Sequence, residues 1–351
     1  MNHNTRYTLQ CPIPKTDYEH ILLAHGGGGK LTKQLIDKMI YPLLGNEILE
    51  QGHDGAFLPS MEGDLAMTTD SFVVDPIFFP GGDIGELAVN GTVNDLVCCG
   101  AEPLYISLAF ILEEGCPLDD LWKIIQSIAS AAKSAGVQVV TGDTKVVEKG
   151  KGDKIYINTT GIGRVIAGMD ISPDRCSEGD VVIINGTIGD HGIAIMTERE
   201  GLAFESTVKS DTVALNGMMM DLFSELPEIH VLRDPTRGGV ASALNEICHS
   251  SGTGIRLIED LLPVTGGVRG ACEVMGLDPL YIANEGKILV IVPEKGAEKV
   301  ISVMKKHEAG KESRIIGRVT REHPGILHLE TCIGSTRIVD MISGEQLPRI
   351  C

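Results

Sequence analysis

A two-domain protein of mixed α/β (α+β) class is the fold predicted by the sequence, on three observations. Strand-like and helix-like segments alternate through both halves of the chain. A polar break, Ser172-Pro173-Asp174-Arg175 with Glu178-Gly179-Asp180, separates those halves, and 351 residues let each half bury its own core. Hydrophobic residues make up 43 % of the chain and aromatic ones only 4 %, so the cores are aliphatic.

Residues 1 to 20 carry little pattern and read as an extended arm. Ile21 to Ala24 lead into His25 and a run of four glycines, Gly26 to Gly29, before an amphipathic helix from Leu31 to Leu43. A P-loop would need glycine at 24 and Ser or Thr at 31; the chain has Ala24 and Leu31, so this is not one. The four glycines can wrap backbone N–H groups around an anion or serve as a hinge. Leu65 to Thr69 is a strand ending at Asp70, and Asp83 caps a helix running to Cys99. A strand (104–112), a helix (118–135) and strands at 137–147 and 155–165 complete the first half. The second half has a strand at 181–185, helices near 190–200 and 211–225, and a helix through His249 after the loop Arg233 to Gly239. Then come a helix at 265–275 and strands at 287–292, 315–319, 326–329 and 336–341. The resulting division is an arm and glycine-rich segment (1–45), a first domain (46–168), a second domain (178–342) and a mobile tail (343–351).

The net charge of −18 argues against nucleic acid or an anionic membrane surface as partner. No apolar run is long enough to span a bilayer, and Met1 to Asn4 opens no signal peptide. Nine cysteines without a C-x-x-C pair suit reduced thiols in the cytoplasm, not a zinc site. The last of them, Cys351, stands at the end of a Ser-Gly-Glu-Gln turn and a proline. From Ser343 onward the tail extends at most about 30 Å, enough to carry a sulfur from solvent into a cleft.

Asp95 shares a helix stripe with Ile84, Ala88 and Gly91, and lies in the last turn, where the helix dipole disfavours a carboxylate. A bound cation would remove that penalty; exposure to solvent is the plainer alternative. Asp54, Asp70, Asp143 and Asp234 also sit at strand ends or in loops beside Gly, Ser or Thr, as ligands of hard cations do and as turn residues do.

Taken together the segments are more specific. Thr68 to Pro76, Phe79 to Asp83, Gly91 to Asp95, Thr141 to Val147, Gly189 to Gly192, Asp234 to Gly239, Ala283 to Lys287 and Pro348 to Cys351 resemble, in order, the HypE family of hydrogenase maturation factors. That family belongs to the aminoimidazole ribonucleotide synthetase and selenophosphate synthetase superfamily. The resemblance covers nearly the whole chain, least so the arm. It implies a two-domain fold of that type whose first domain forms a barrel across a homodimer interface. It also implies a reaction: the carbamoyltransferase HypF loads Cys351, and ATP then drives dehydration of the thiocarbamate to a thiocyanate. The cyano group goes to a HypC–HypD scaffold and finally to the iron of a [NiFe] hydrogenase. By the same resemblance Gly26, Gly27, Gly28, Gly29, Asn94, Thr236, Arg237 and Gly238 bind ATP phosphates. Asp54, Asp70, Asp95, Asp234 and, in addition, Asp143 hold Mg2+.

The chemistry gives these residue types work. Lys145 can stabilise the carboxamide oxygen or the phosphorylated intermediate. Glu285 is the candidate base for the N–H proton. His191 is either part of the site or a turn residue, and Arg237 either binds phosphate or pairs with an acid. A selenophosphate synthetase would carry a reactive Cys or selenocysteine at the glycine loop, where this chain has His25. A non-catalytic carrier presenting Cys351 is the rival from another class.

Overall fold

The computed structural model describes residues 18–201, 208–225, 228–344 and 347–351, so most of the arm lies outside the described residues. α1 (Lys30–Leu35) passes through a π-helical stretch (Ile36–Ile40) into α2 (Tyr41–Leu44). One continuous α-helix was the expectation for this segment. Pro42 lacks an N–H and crowds the turn before it, which widens the ladder there.

β1 (Leu65–Phe72), the short hairpin β2 (Phe78–Phe79) and β3 (Gly82–Asp83), and helix α3 (Ile84–Cys98) follow. Asp83 caps α3 as expected, its carboxylate accepting from the N–H groups of Gly85 at 2.7 Å and Glu86 at 3.1 Å. β4 (Ala101–Glu113), α4 (Leu118–Ala135), β5 (Gln138–Val147) and β6 (Ile155–Val165) complete a four-stranded sheet of order β1-β6-β4-β5. Helices α3 and α4 pack together, and α3 lies on β1, β6 and β4.

The second sheet is larger. It is built from β7 (Asp180–Ile184), β8 (Val231–Arg233), β9 (Gly254–Ile258), β10 (Leu289–Pro293), β11 (Arg314–Thr320), β12 (Leu327–Glu330) and β13 (Thr336–Ile338). Its order is β13-β12-β9-β11-β7-β10-β8. Between these strands run α5 (Asp190–Arg199), α6 (Asn216–Glu225), α7 (Gly239–Ser251), α8 (Gly266–Met275) and α9 (Ala297–Met304). Alternation along β7 feeds two cores, Val182 and Ile184 into one and Val181 and Ile183 into the other. The sequence reading missed β8, β9 and α9, and began α6 five residues early. Asn94 explains the last point: its side chain accepts from Leu215 N–H and donates to Val213 O, which takes those backbone groups away from a helix.

α3 is buried nearly all round because it is the wall between the two halves. Its body packs into the first core, while Val97 joins a core of the second half. Among the described residues no helix is long and apolar enough to cross a membrane.

Candidate functional site

The tail is docked, in contrast to the mobile tether expected of it. Val73 N–H donates to Cys351 O at 3.0 Å and Asp75 N–H to Arg349 O at 3.3 Å, an antiparallel pairing that extends from the end of β1. Ile350 is only 3 % exposed and belongs to the first core. Burying such a side chain contributes about 1.5–3 kcal/mol, which the sequence alone could not assign to a terminal isoleucine. Arg349 donates from Nε to Val73 O at 3.0 Å, pairs with Asp153, and lies 6.0 Å over the Tyr156 ring.

Docking carries the half-buried Cys351 thiol into a nest of acids. Burial first, then the charge of Glu285, pushes the thiol up to about 12, with Arg237 opposing. Glu285 is 4 % exposed, and its Oε1 has no hydrogen-bond partner among the described residues. Burial and then the charges of Asp211, Asp234, Asp70 and Asp95 push its carboxyl well above the usual carboxylate range. Its surroundings thus favour the neutral carboxyl until positive charge enters, which qualifies the expectation of a ready base.

Its loop is fixed from several sides. Asn284 donates to Pro235 O at 2.8 Å and accepts from Gly189 N–H at 2.8 Å, joining three loops. Asp211 Oδ1 accepts the Glu285 N–H at 3.1 Å, and Lys287 Nζ lies 2.8 Å from Asp211 Oδ2. Gly286 must be glycine, because a Cβ there would stand 1.9 Å from Asp211 O. Across the gap, Gly91 faces Glu285 Oε2 at ordinary contact distance, 3.9 Å from where a Cβ would stand, while the Phe72 ring is its tight neighbour at 3.1 Å.

Asp70, Asp95 and Asp234 are drawn together from β1, α3 and the loop before α7. Thr68 Oγ1 donates to Asp95 Oδ2 at 2.6 Å. Asp70 is raised to about 7 by burial and then by the charge of Asp95; Asp234 is raised to about 7 by the same two causes. Such stored repulsion suits a cation. Even so, among the described residues no three His, Cys, Asp or Glu side chains converge enough to hold a metal unaided. The oxygen donors fit an ion that completes its shell with phosphate and water, as Mg2+ does.

Lys145, Asp143 and Asp54 are elsewhere. With Gly26, Gly28 and Thr32 they line a separate cavity of about 590 Å3. Register fixes the distance between the two places: Asp70 pairs with Thr159, Thr159 with Leu108, and Leu108 with Gly142. Three strand spacings are roughly 14 Å. Asp143 and Lys145 pair with Ala109 and Ile111, whose alternation puts them on the open face of the sheet, while Asp70 faces α3. Lys145 Nζ is 2.8 Å from Asp143 Oδ1, and that hydrogen bond first of all holds the Asp143 carboxyl below its usual range. So within one chain Lys145 does not join Glu285 at Cys351, and Asp54 and Asp143 do not join the other three aspartates.

Two family models match the chain: AIR synthase related protein, N-terminal domain, over residues 52–165, and its C-terminal domain over residues 177–330. The carbamoyl dehydratase HypE of Azotobacter vinelandii is 50 % identical over 329 residues, covering 94 % of this chain and 96 % of that protein. The chain belongs to the HypE carbamoyl dehydratase family. The Escherichia coli K12 HypE is 43 % identical over 337 residues, with 95 % and 99 % covered. Among solved structures, HypE in complex with ATP superposes with a TM-score of 0.91 at 47 % identity, covering 94 % of this chain and 99 % of that one. A HypE–HypF complex matches with a TM-score of 0.78 at 50 % identity, over 88 % and 99 % of the two chains.

Against this HypE fold the remaining expectations sort by geometry. Gly26 abuts Val146, where a Cβ would clash at 2.4 Å, and Gly28 has φ +75° and donates its N–H to Thr32 Oγ1; Gly27 and Gly29 are exposed in the same turn. Asn94 spends its carboxamide on Val213, Leu215 and Glu285 backbone groups, which makes it a joint between the halves. Thr236 O accepts from Gly239 N–H, and Gly238 takes φ +76° to open α7. Arg237 is exposed, and its charge acts on Asp70 and Cys351. Sequence reasoning missed Asp211, Lys287 and Arg199, and left His191 open; the first two were discoverable only as a buried ion pair, which needs the fold.

Proposed function

We propose that this chain dehydrates a carbamoyl group carried on its own Cys351, forming an S-thiocyanate, ADP and phosphate. The observation that carries the reading is the seat of the terminal thiol, docked among Glu285, Asp70 and Asp234 under the charge of Arg237. The solved HypE complex with ATP supports ATP as the phosphoryl donor. The carboxamide oxygen attacks the γ-phosphorus and ADP leaves. The two N–H protons depart as the carbon–oxygen bond breaks, the oxygen leaves with phosphate, and nitrogen and carbon end triply bonded.

Glu285 takes an N–H proton once its carboxyl is ionised. Mg2+ held by Asp70, Asp95 and Asp234 would neutralise triphosphate charge and offset the repulsion among these acids. Loading by HypF occurs on the undocked tail, where the thiol regains ordinary acidity and nucleophilicity; the HypE–HypF complex supports that partner. A HypC–HypD scaffold accepts the cyano group.

The working form is a homodimer. The open face of the first sheet exposes Leu65, Met67 and Ile111, at 57 %, 71 % and 44 %, on the side that carries Lys145. A second copy covering that face would bring Lys145 to the carboxamide oxygen of its neighbour. The test is ATP turnover by full-length protein with and without carbamoylated Cys351. Turnover that requires the carbamoyl group supports the dehydratase; ATP binding without such turnover supports a carrier.

A further inference from the structure

Chemistry at Cys351 requires that a short tail be held still in the nest, and one helix holds three of its carbonyls. Arg199, at the end of α5, donates from Nη1 to Pro348 O at 2.7 Å and from Nη2 to Arg349 O at 2.7 Å. The same guanidinium reaches Asp75 O from Nε at 2.8 Å and from Nη2 at 2.5 Å, which ties the tail to the segment it pairs with. At the other end of α5, His191 Nε2 lies 2.9 Å from Ile350 O. A carbonyl cannot donate, so Nε2 carries the hydrogen, and Nδ1 accepts from the Ser210 hydroxyl at 2.8 Å. Phe79 packs edge-on against the imidazole, with ring centroids 5.6 Å apart, and fixes its plane.

Three successive tail carbonyls, 348, 349 and 350, are thus read from one helix. Residues 191 and 199 are separated by roughly 12 Å along the helix axis, against about 7 Å between carbonyls 348 and 350, and the long Arg199 side chain spans the difference. The tail runs antiparallel to α5, between it and residues 73–75. The hydrogen bonds from α5 go to carbonyls alone, so that part of its grip does not depend on what is attached to the sulfur, while Ile193 and Ile195 of the same helix share apolar clusters with Leu347 and Ile350.

We infer that α5 is a docking latch for the C-terminal tail, with Arg199 and His191 as positioning residues that seat Cys351 beside Glu285 through its backbone. The latch gives the dehydratase reading, on which it rests, its means of choosing between loading and dehydration: a closed latch presents the sulfur to the nest, an open one to the loading enzyme.

The test is iodoacetamide labelling of full-length protein, resolved by peptide mass spectrometry, with the exposed Cys332 as internal reference. Arg199 is half-buried at a helix end, so its replacement leaves the core alone. Arg199→Ala is expected to speed labelling of Cys351 by roughly tenfold or more, the order given by loss of a charge-assisted hydrogen bond, with Cys332 unchanged. Arg199→Lys, which keeps the charge but loses the rigid planar fork of donors, should fall between. In single turnovers with ATP, dehydration should slow in the same order while carbamoyl loading does not. Equal Cys351 labelling in wild type and folded Arg199→Ala would overturn the latch. If Arg199→Ala also exposes the buried Cys248, Arg199→Lys decides by the same two outcomes. Because labelling needs no ATP, a failed dehydratase reading would leave the labelling result standing.

Discussion

Around Cys351 the carboxylates are crowded out of water, whereas beside Lys145 they sit in it. Asp70 and Asp234 are raised to about 7 by burial and by Asp95, while Asp143 is lowered by its hydrogen bond to Lys145. The same residue type has opposite electrostatics in the two places, because one group is desolvated among like charges and the other is exposed and already paired. The nest stores repulsion that a cation relieves; the open cavity stores none. Chemistry is thereby concentrated at the tail, and Lys145 is left facing outward, away from the Cys351 of its own chain.

The largest effect expected is from Cys351→Ala, which removes the atom that carries the reacting group. Thiocyanate formation should fall to nothing detectable by mass spectrometry, while binding of ATP persists. Glu285→Gln should come next, slowing dehydration by about 10²–10⁴-fold with S-carbamoylated tail accumulating. Lys145→Ala should cost about 10²–10³-fold, the range for loss of one group stabilising a developing oxyanion. Mixing those two inactive variants sharpens the comparison. If Lys145 serves the neighbouring chain, mixed dimers regain one complete site and activity returns; if it serves its own chain, the mixture stays inactive.

A smaller effect concerns pH. The docked thiol is raised to about 12 from its ordinary 9.0, so docking is undiminished below pH 9 and weakens as pH rises from 9 towards 12. Alkylation of a free Leu-Pro-Arg-Ile-Cys peptide should level off above pH 9 in stopped assays, whereas Cys351 in the protein keeps accelerating. Parallel curves would mean that the nest does not perturb the thiol. The smallest expected effect is from Asp95→Asn. It removes a charge from both the nest and the last turn of α3, so the melting temperature should rise by a degree or two while affinity for Mg-ATP falls. A lower melting temperature would show that the Thr68 hydrogen bond to Asp95 outweighs the repulsion.

Much of this was legible in the sequence where local chemistry speaks for itself. Asp83 announces a helix start, and the alternating segments give the four strands of the first sheet and five of the seven in the second. Asp70, Asp95 and Asp234 stand out as strand-end, helix-end and loop carboxylates, and they do converge in one electrostatic field. What stayed hidden depends on long-range placement. Register and face, not residue type, part Lys145 from Glu285. Arg199 reads backbone carbonyls, and a carbonyl leaves no trace in a motif. Ile350 looks like a frayed end until the first core is assembled around it. Asp211 lies in no motif, yet its ion pair with Lys287 holds the backbone of Glu285 in place.

The most direct measurement is the mass of the C-terminal peptide over time, after full-length protein is incubated with HypF, carbamoyl phosphate and ATP. The account predicts that the peptide ending in Cys351 first gains a carbamoyl group and then loses the elements of water, with one ADP and one phosphate released from HypE-bound ATP for each loss. A peptide that stays carbamoylated in wild-type protein with bound Mg-ATP, or a cyano group found on any other cysteine, would contradict it.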